Sequence, residues 1–251
     1  KTKSLASQKK FANAMKELCS DNVQIAAFID TKRLIDKIET IINAQGKRGR
    51  NAKLSKDAIV FRNVIKALGL DGVTVVAGAS NIVDRGFHEK IRIFSPAPHR
   101  GILSIFAEKP LPAGAFESIP ADADVLLAMN FSPIKFLSLM RNIGAAIEPD
   151  AKKEFDESLI EINKTLGIDI EKDLLKYTSG QWTIVSAPSL GGMITGTVIT
   201  VNLTDADKFL DAITRIEKKL PELIDQPRTK VRVYRSNGVV IHYLICRSDD
   251  F

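Results

Sequence analysis

Leu68-Gly69-Leu70-Asp71 and Leu166-Gly167-Ile168-Asp169 read as one tetrapeptide met twice, each closing a stretch of helical spacing and preceding strand-like residues. Backwards from the Leu-Gly pair at a constant offset, Phe61, Val64, Lys66 and Leu68 face Leu159, Ile162, Lys164 and Leu166. Apolar positions fall on apolar ones. Forwards, Val73-Thr74-Val75-Val76 matches Trp182-Thr183-Ile184-Val185, provided the second copy carries an insertion holding Ile170 to Leu175, itself of helical spacing. Upstream, Ile25 to Asp30 leading into Thr31 pairs with Val125 to Asn130 leading into Ser132-Pro133. Each copy therefore reads strand, helix, helix, strand, strand. Gly69 follows its helix directly, because glycine reaches the left-handed backbone of a helix stop without steric cost.

The expected fold class is α+β: duplicated strand-helix-helix-hairpin units forming mainly antiparallel sheets with helices packed on one face. The first unit is expected over residues 1–110, opened by a helix carrying Phe11, Met15, Leu18 and Cys19 on one stripe. The second is expected over residues 111–251, with an additional C-terminal helix and a hairpin turning at Asn237-Gly238; the two units are able to pack as one domain. Pro110, Pro112, Gly114 and Pro120 mark the seam. Helix caps are expected from Thr31, from Ser55, from Ser132 followed by proline, and from Thr204 with Asp207. Strands are expected over Ile102–Ala107 and Met193–Asn202, the latter after a hairpin turn at Gly191-Gly192.

The 251 residues are 45% hydrophobic and 26% charged, ordinary values for a globular chain. No apolar run approaches the roughly 18 residues of a spanning helix. The charge is uneven: residues 1–56 hold 13 Lys and Arg against 5 Asp and Glu, while the rest carries a net of −2. The chain opens Lys1-Thr2-Lys3 without methionine, so a segment upstream, such as a signal peptide, is expected to have been removed. Cys19 and Cys246 fit one disulfide or two free thiols.

Chemical signatures are sparse. His88, His99 and His242 are far apart and neither cysteine has a second at ligand spacing, so no metal site and no cofactor are expected. No nucleophile elbow occurs. Ser189-Leu190-Gly191-Gly192-Met193 is glycine-rich but joins two strands, whereas phosphate loops open a helix. Asp122 with Asp124, and Glu154, Asp156 and Glu157, read as loop and helix surface. The triplets beginning at Asn130, Asn163 and Asn202 match the glycosylation pattern but lie in expected elements. One cluster stands out as a candidate anion contact: Lys47, Arg48, Arg50, Lys53 and Lys56, on a loop rich in glycine and cations. No aromatic residues interleave, so a nucleic-acid partner is not expected.

Arg100-Gly101-Ile102-Leu103, Ser118-Ile119-Pro120-Ala121-Asp122-Ala123-Asp124 with the strand into Phe131-Ser132, and Leu166-Gly167-Ile168-Asp169 with Asp173-Leu174-Leu175 and Gly180-Gln181-Trp182 form a series of motifs across most of the chain. Their layout resembles bacterial envelope proteins of unknown function built from duplicated α/β units. The resemblance implies an extracytoplasmic location and carries no catalytic residue. The functional expectation is a noncatalytic extracytoplasmic binding or structural protein that meets a protein or small-molecule ligand through its sheet or between its repeats. Two alternatives stand beside it: a carrier of an apolar molecule or lipid between sheet and helices, and a polyanion binder acting through the basic loop.

Overall fold

The computed structural model describes residues 4–19, 23–46, 56–106, 109–117, 119–223, 230–236 and 239–245. The fold is α+β, with two three-stranded antiparallel sheets and a two-stranded hairpin among those residues. Two compact units form, residues 1–104 with 138–152, and residues 105–137 with 153–251.

In the first copy, α1 (Lys9–Leu18) leads to β1 (Ile25–Asp30), α2 (Thr31–Gly46), α3 (Lys56–Ala67), β2 (Val75–Val83) and β3 (Gly86–Phe94), with sheet order β1-β2-β3. Side chains alternate along a strand, and on β2 the small residues Ala77 and Ala79 share a face with Val75. Their size lets α1 approach: Ala14 and Leu18 are buried against Val75, Ala77 and Ala79, with Met15, Val23, Phe28 and Phe94 around them. Phe11 meets Phe28 edge-on at 5.2 Å, which adds to the area term of roughly 25 cal/mol per Å² buried. Asp30, not Thr31, caps α2: its carboxylate accepts from the Arg33 N–H at 3.1 Å. Thr31 is already the first helical residue, and its hydroxyl is buried without a partner among the described residues. Ser55 and the loop before it lie outside the described residues.

Gly69 takes the left-handed backbone at φ 72°, as its place after Leu68 requires. Gly101 sits directly against it. The Ile102 N–H donates to the Leu68 carbonyl at 3.0 Å, so the Arg100-Gly101-Ile102 stretch closes on the end of α3. This explains why Ile102–Ala107 is not the expected strand. Gly101–Ile105 is a tight 3-10 turn, tied by the Ser104 hydroxyl to the Gly101 carbonyl at 2.7 Å, and only Phe106 makes an isolated bridge, to Phe131. Ala107 lies outside the described residues.

The second copy repeats the order: β4 (Val125–Phe131), α4 (Pro133–Ile147), α5 (Ala151–Leu166), β5 (Thr178–Ser186), α6 (Gly192–Thr195) and β6 (Thr197–Leu203), with sheet order β4-β5-β6. Ser132-Pro133 starts α4 as expected, the Ser132 hydroxyl accepting from Lys135 N–H at 3.4 Å. The insertion is one π-helical turn, Ile170–Leu174, capped by the Asp169 carboxylate, which accepts from the N–H groups of Glu171 and Lys172 at 3.1 Å each. Residues 187–196 are not a tight hairpin turn. Gly191 and Gly192 both have positive φ, at 109° and 75°, and they turn the chain into α6, so Met193 is helical and β6 begins only at Thr197. Then follow α7 (Ala206–Leu223), β7 (Lys230–Ser236) and β8 (Val239–Ile245), the last two paired with each other. Asp205 caps α7 by accepting from Lys208 N–H at 3.1 Å, while Thr204 instead donates its hydroxyl to the Tyr177 carbonyl. The Asn237-Gly238 turn lies outside the described residues.

The two copies agree in register as well as in order. Asp30 pairs with Val75 and Asn130 with Gln181; Ile25 pairs with Ser80 and Val125 with Ser186. Structurally, Val76 therefore corresponds to Trp182, three residues away from the match made on sequence. An odd shift exchanges the two faces of a strand. The pairing of β5 with β4 is unbroken from Ser186 to Gly180; against β6 alone it shifts register between Thr178 and Trp182, with Gly180 at φ 100°, and no such shift occurs between β2 and β3.

Candidate functional site

The corrected register decides which side chains share a surface. On the first sheet, opposite α1, cross-strand partners form three rows: Ile25, Ser80 and Glu89; Ala27, Gly78 and Ile91; Ile29, Val76 and Ile93. This face is apolar and open. Ile91 is 74% exposed, Ile25 58% and Ile93 48%, values unusual for isoleucines clustered on a sheet. Along its middle a depression of about 180 Å³ runs over Gly78, lined by Ile25, Ala27, Ser80 and Ile91, with Glu89 and Lys90 at its polar margin. The hollow exists because Gly78 has no side chain and Ala27 only a methyl.

The same face of the second sheet carries the rows Val125, Ser186 and Thr197; Leu127, Ile184 and Ile199; Met129, Trp182 and Val201. It too is apolar, with Ile199 61% and Leu127 48% exposed. Trp182 packs edge-on to Phe131 at 6.0 Å. Neither the Trp182 indole N–H nor the Ser186 hydroxyl, both buried, has a hydrogen-bond partner among the described residues.

Sequence reasoning placed these residues in strands and did not single them out. A signal was present: Ile25-Ala26-Ala27-Phe28-Ile29 is apolar at both parities, the mark of a strand whose two faces both meet apolar surroundings. Periodicity alone could not say that α1 covers one face and leaves the other.

Of the proposed anion contacts, Lys47, Arg48, Arg50 and Lys53 lie outside the described residues, and Lys56 is an exposed residue in the first turn of α3. The structure adds two other cationic surfaces on the first unit. One, of about 380 Å³, is lined by Lys9, Lys10, Lys32 and Arg33 together with Asp30 and Asp36; Lys10 and Arg33 reach Asp30 at 3.6 and 3.7 Å, which offsets their charge. The other, of about 410 Å³, gathers Lys66, Arg100, Asn63 and Asn142. Its cations stand by the C-terminal end of α3, where positive charge complements the helix carbonyls. Arg100 also reaches Asp71 at 3.7 Å. Both surfaces stay net cationic, with part of their charge offset by these carboxylates.

His88 and His99 are exposed, and His242 lies on β8 opposite Val233. Among the described residues no group of three His, Cys, Asp or Glu side chains could hold a metal ion. Cys19 is an exposed free thiol, and Cys246 lies outside the described residues. The glycine-rich segment is occupied from within, since the Asp122 carboxylate accepts from both the hydroxyl and the N–H of Ser189 at 2.8 Å. Those bonds, the hydroxyl first, hold the Asp122 carboxyl below the usual carboxylate range. Asp169 is lowered chiefly by the Lys172 ammonium at 2.8 Å and the backbone N–H it caps, and Asp205 by the Lys208 N–H and then its ammonium. All three are capping or loop-tying carboxylates that stay ionised, the opposite of a general acid. Of the glycosylation triplets, the Asn130 amide donates to the Lys109 and Pro110 carbonyls, and Asn163 accepts from Ile170 N–H.

No family model, no curated protein and no solved structure matches this chain.

Proposed function

We propose that this chain is a noncatalytic extracytoplasmic binding protein that holds an apolar protein surface against the uncovered face of the first sheet. The observation that carries the reading is the cluster of exposed isoleucines, Ile25, Ile91 and Ile93, around the hollow at Gly78. A contiguous apolar patch of this kind marks an interaction surface, because leaving it in water forgoes roughly 25 cal/mol per Å². The shifted carboxylates support a noncatalytic role, since each shift follows from a local cap or loop tie. The extracytoplasmic location rests on the resemblance of the motif layout to envelope proteins. Among the described residues, no helix is long and apolar enough to cross a membrane. A protein surface fits this face better than a carried lipid does, because the apolar depression is open to solvent rather than enclosed between sheet and helices.

Native mass spectrometry of the full chain purified from its own source tests the proposal. A retained protein mass, lost in an Ile91→Asp variant with an unchanged circular dichroism spectrum, is the expected result. A wild type that retains nothing, or retention indifferent to Ile91→Asp, overturns it.

A further inference from the structure

We propose that a groove on the first unit, between α3 and the C-terminal part of α4, binds the dianionic phosphoryl group of a phosphomonoester. The groove, of about 410 Å³, is lined by residues that all belong to that unit. Each helix gives it one face. Asn63, Lys66 and Ala67 stand at i, i+3 and i+4 on α3, and Asn142, Ala145 and Ala146 repeat that spacing on α4. The alanines are too small to fill the space, while the two side-chain amides and the Lys66 ammonium bring hydrogen-bond donors to it. Arg100 completes the set. Its backbone is fixed against the end of α3, because Gly101 turns with φ 57° and the Ile102 N–H donates to the Leu68 carbonyl at 3.0 Å.

Two features separate this groove from an ordinary cationic helix end. No carboxylate lines it, whereas the other cationic surface of the unit carries Asp30 and Asp36 among its cations. Arg100 reaches Asp71 at 3.7 Å with both side chains exposed, an ion pair weak enough for a bound anion to compete with. The second feature is the asparagines. Complementing the α3 carbonyls accounts for Lys66 and leaves Asn63 without a role. At the offset that superimposes the two copies, Lys66 faces Lys164 while Asn63 faces Glu161. The second copy keeps the cation that suits a helix end and puts a carboxylate where the first has an amide donor. Charge then selects the ligand. Lys66 and Arg100 together balance a dianion, and a phosphomonoester carries about −1.5 to −2 at neutral pH, with terminal oxygens that accept from ammonium, guanidinium and amide groups. A carboxylate offers only a single charge.

An amide-resolved NMR titration of the full chain with inorganic phosphate tests the site, in about 0.15 M NaCl, where bare surface charge is screened beyond about 8 Å. The Ala67, Gly101 and Ala146 resonances should shift and saturate with a Kd of about 1 to 10 mM, the range open to so small a ligand. Lys66→Gln combined with Arg100→Gln should weaken binding at least about 10-fold, as the loss of charge-assisted bonds does, and Lys164→Gln should leave it unchanged. Asn63→Ala combined with Asn142→Ala keeps the charge and favours the helices, yet should weaken binding about 5-fold. All five side chains are exposed, so the variants should keep the wild-type circular dichroism spectrum. Phosphatidylcholine vesicles carrying phosphatidic acid then identify the source of the phosphoryl group. Capture that is lost in the Lys66 and Arg100 variant supports the site with a lipid headgroup as ligand; phosphate binding without capture supports it with a soluble phosphomonoester. Shifts that do not saturate by about 50 mM phosphate, a Lys66 and Arg100 variant that binds as tightly as wild type, or asparagine variants that bind no more weakly, overturn the proposal. None of these outcomes bears on the open sheet face, which stands or falls with Ile91→Asp.

Discussion

Gly69 and Gly167 end the corresponding helices α3 and α5 in the same left-handed conformation, at φ 72° and 70°, yet their surroundings differ. A Cβ on Gly69 would come within 2.5 Å of the Arg100 carbonyl oxygen, whereas one on Gly167 would meet nothing closer than the flexible Lys219 side chain at 3.9 Å. The first copy has folded the Arg100-Gly101-Ile102 stretch onto its helix end; the second follows its glycine with the capped turn at Ile170. A shared tetrapeptide thus encodes a shared backbone requirement, while the packing around it belongs to each copy. Gly69→Ala should therefore cost about 3 kcal/mol or more, combining left-handed strain with a backbone collision, and Gly167→Ala only about 1 kcal/mol from the strain. Urea denaturation checks the difference, and equal losses would falsify the assignment of Arg100 as the wall. Gly101→Ala, whose Cβ would collide with the Leu68 carbonyl, should match the Gly69 variant.

The corresponding serines separate by sign. Ser186 is buried with a hydroxyl that lacks a partner among the described residues, while Ser80 is only half-buried. Removing an unsatisfied buried hydroxyl relieves a desolvation penalty of about 1 kcal/mol or more, so Ser186→Ala should raise stability by about that amount. Ser80→Ala should stay within about 0.5 kcal/mol. A destabilised Ser186→Ala would mean that the hydroxyl has a partner after all, such as an ordered water.

Sequence made the repeated helix stops legible for a physical reason: only glycine adopts their backbone cheaply, so Leu-Gly-Leu-Asp had little freedom to differ from Leu-Gly-Ile-Asp. The β5 register was not legible. A matching of apolar letters has no means to fix the length of the insertion between Asp169 and the strand, and the three-residue error that results moves Trp182 to the wrong face. The open sheet face was hidden for another reason. Ile25 to Ile29 is apolar on both sides, and which side α1 covers depends on the small side chains of β2, a matter of packing rather than period. The basic loop at Lys47 to Lys53 was legible as composition, but composition fixes charge and leaves its placement open.

The shared aspartates diverge as the glycines do. Asp169 caps two backbone N–H groups and meets the Lys172 ammonium, whereas Asp71, among the described residues, meets the exposed Arg100 guanidinium at 3.7 Å. Asp169→Ala should cost about 1 kcal/mol, as a lost cap does, and Asp71→Ala less than about 0.5 kcal/mol, as an exposed ion pair does. Comparable losses by denaturation would remove the distinction between cap and surface pair.

The smallest effect expected is the second unit's sensitivity to acid. Asp122, Asp169 and Asp205, the described carboxylates held below their ordinary range, all belong to the second unit. A carboxylate with a depressed folded pKa binds fewer protons when folded than when unfolded, so its contribution is complete above the unfolded value of about 3.9 and disappears as pH falls through the lower folded value. Stability of the second unit should therefore begin to fall below about pH 4. All three groups are exposed or nearly so and screened by solvent, which keeps the effect small. Trp182 is the only tryptophan of the chain and lies on β5, so its fluorescence reports the second unit alone. An acid titration in which Trp182 fluorescence begins to shift below about pH 4 bears this out. An onset well above about pH 4 would show that the caps of the second unit are not what sets its response to acid.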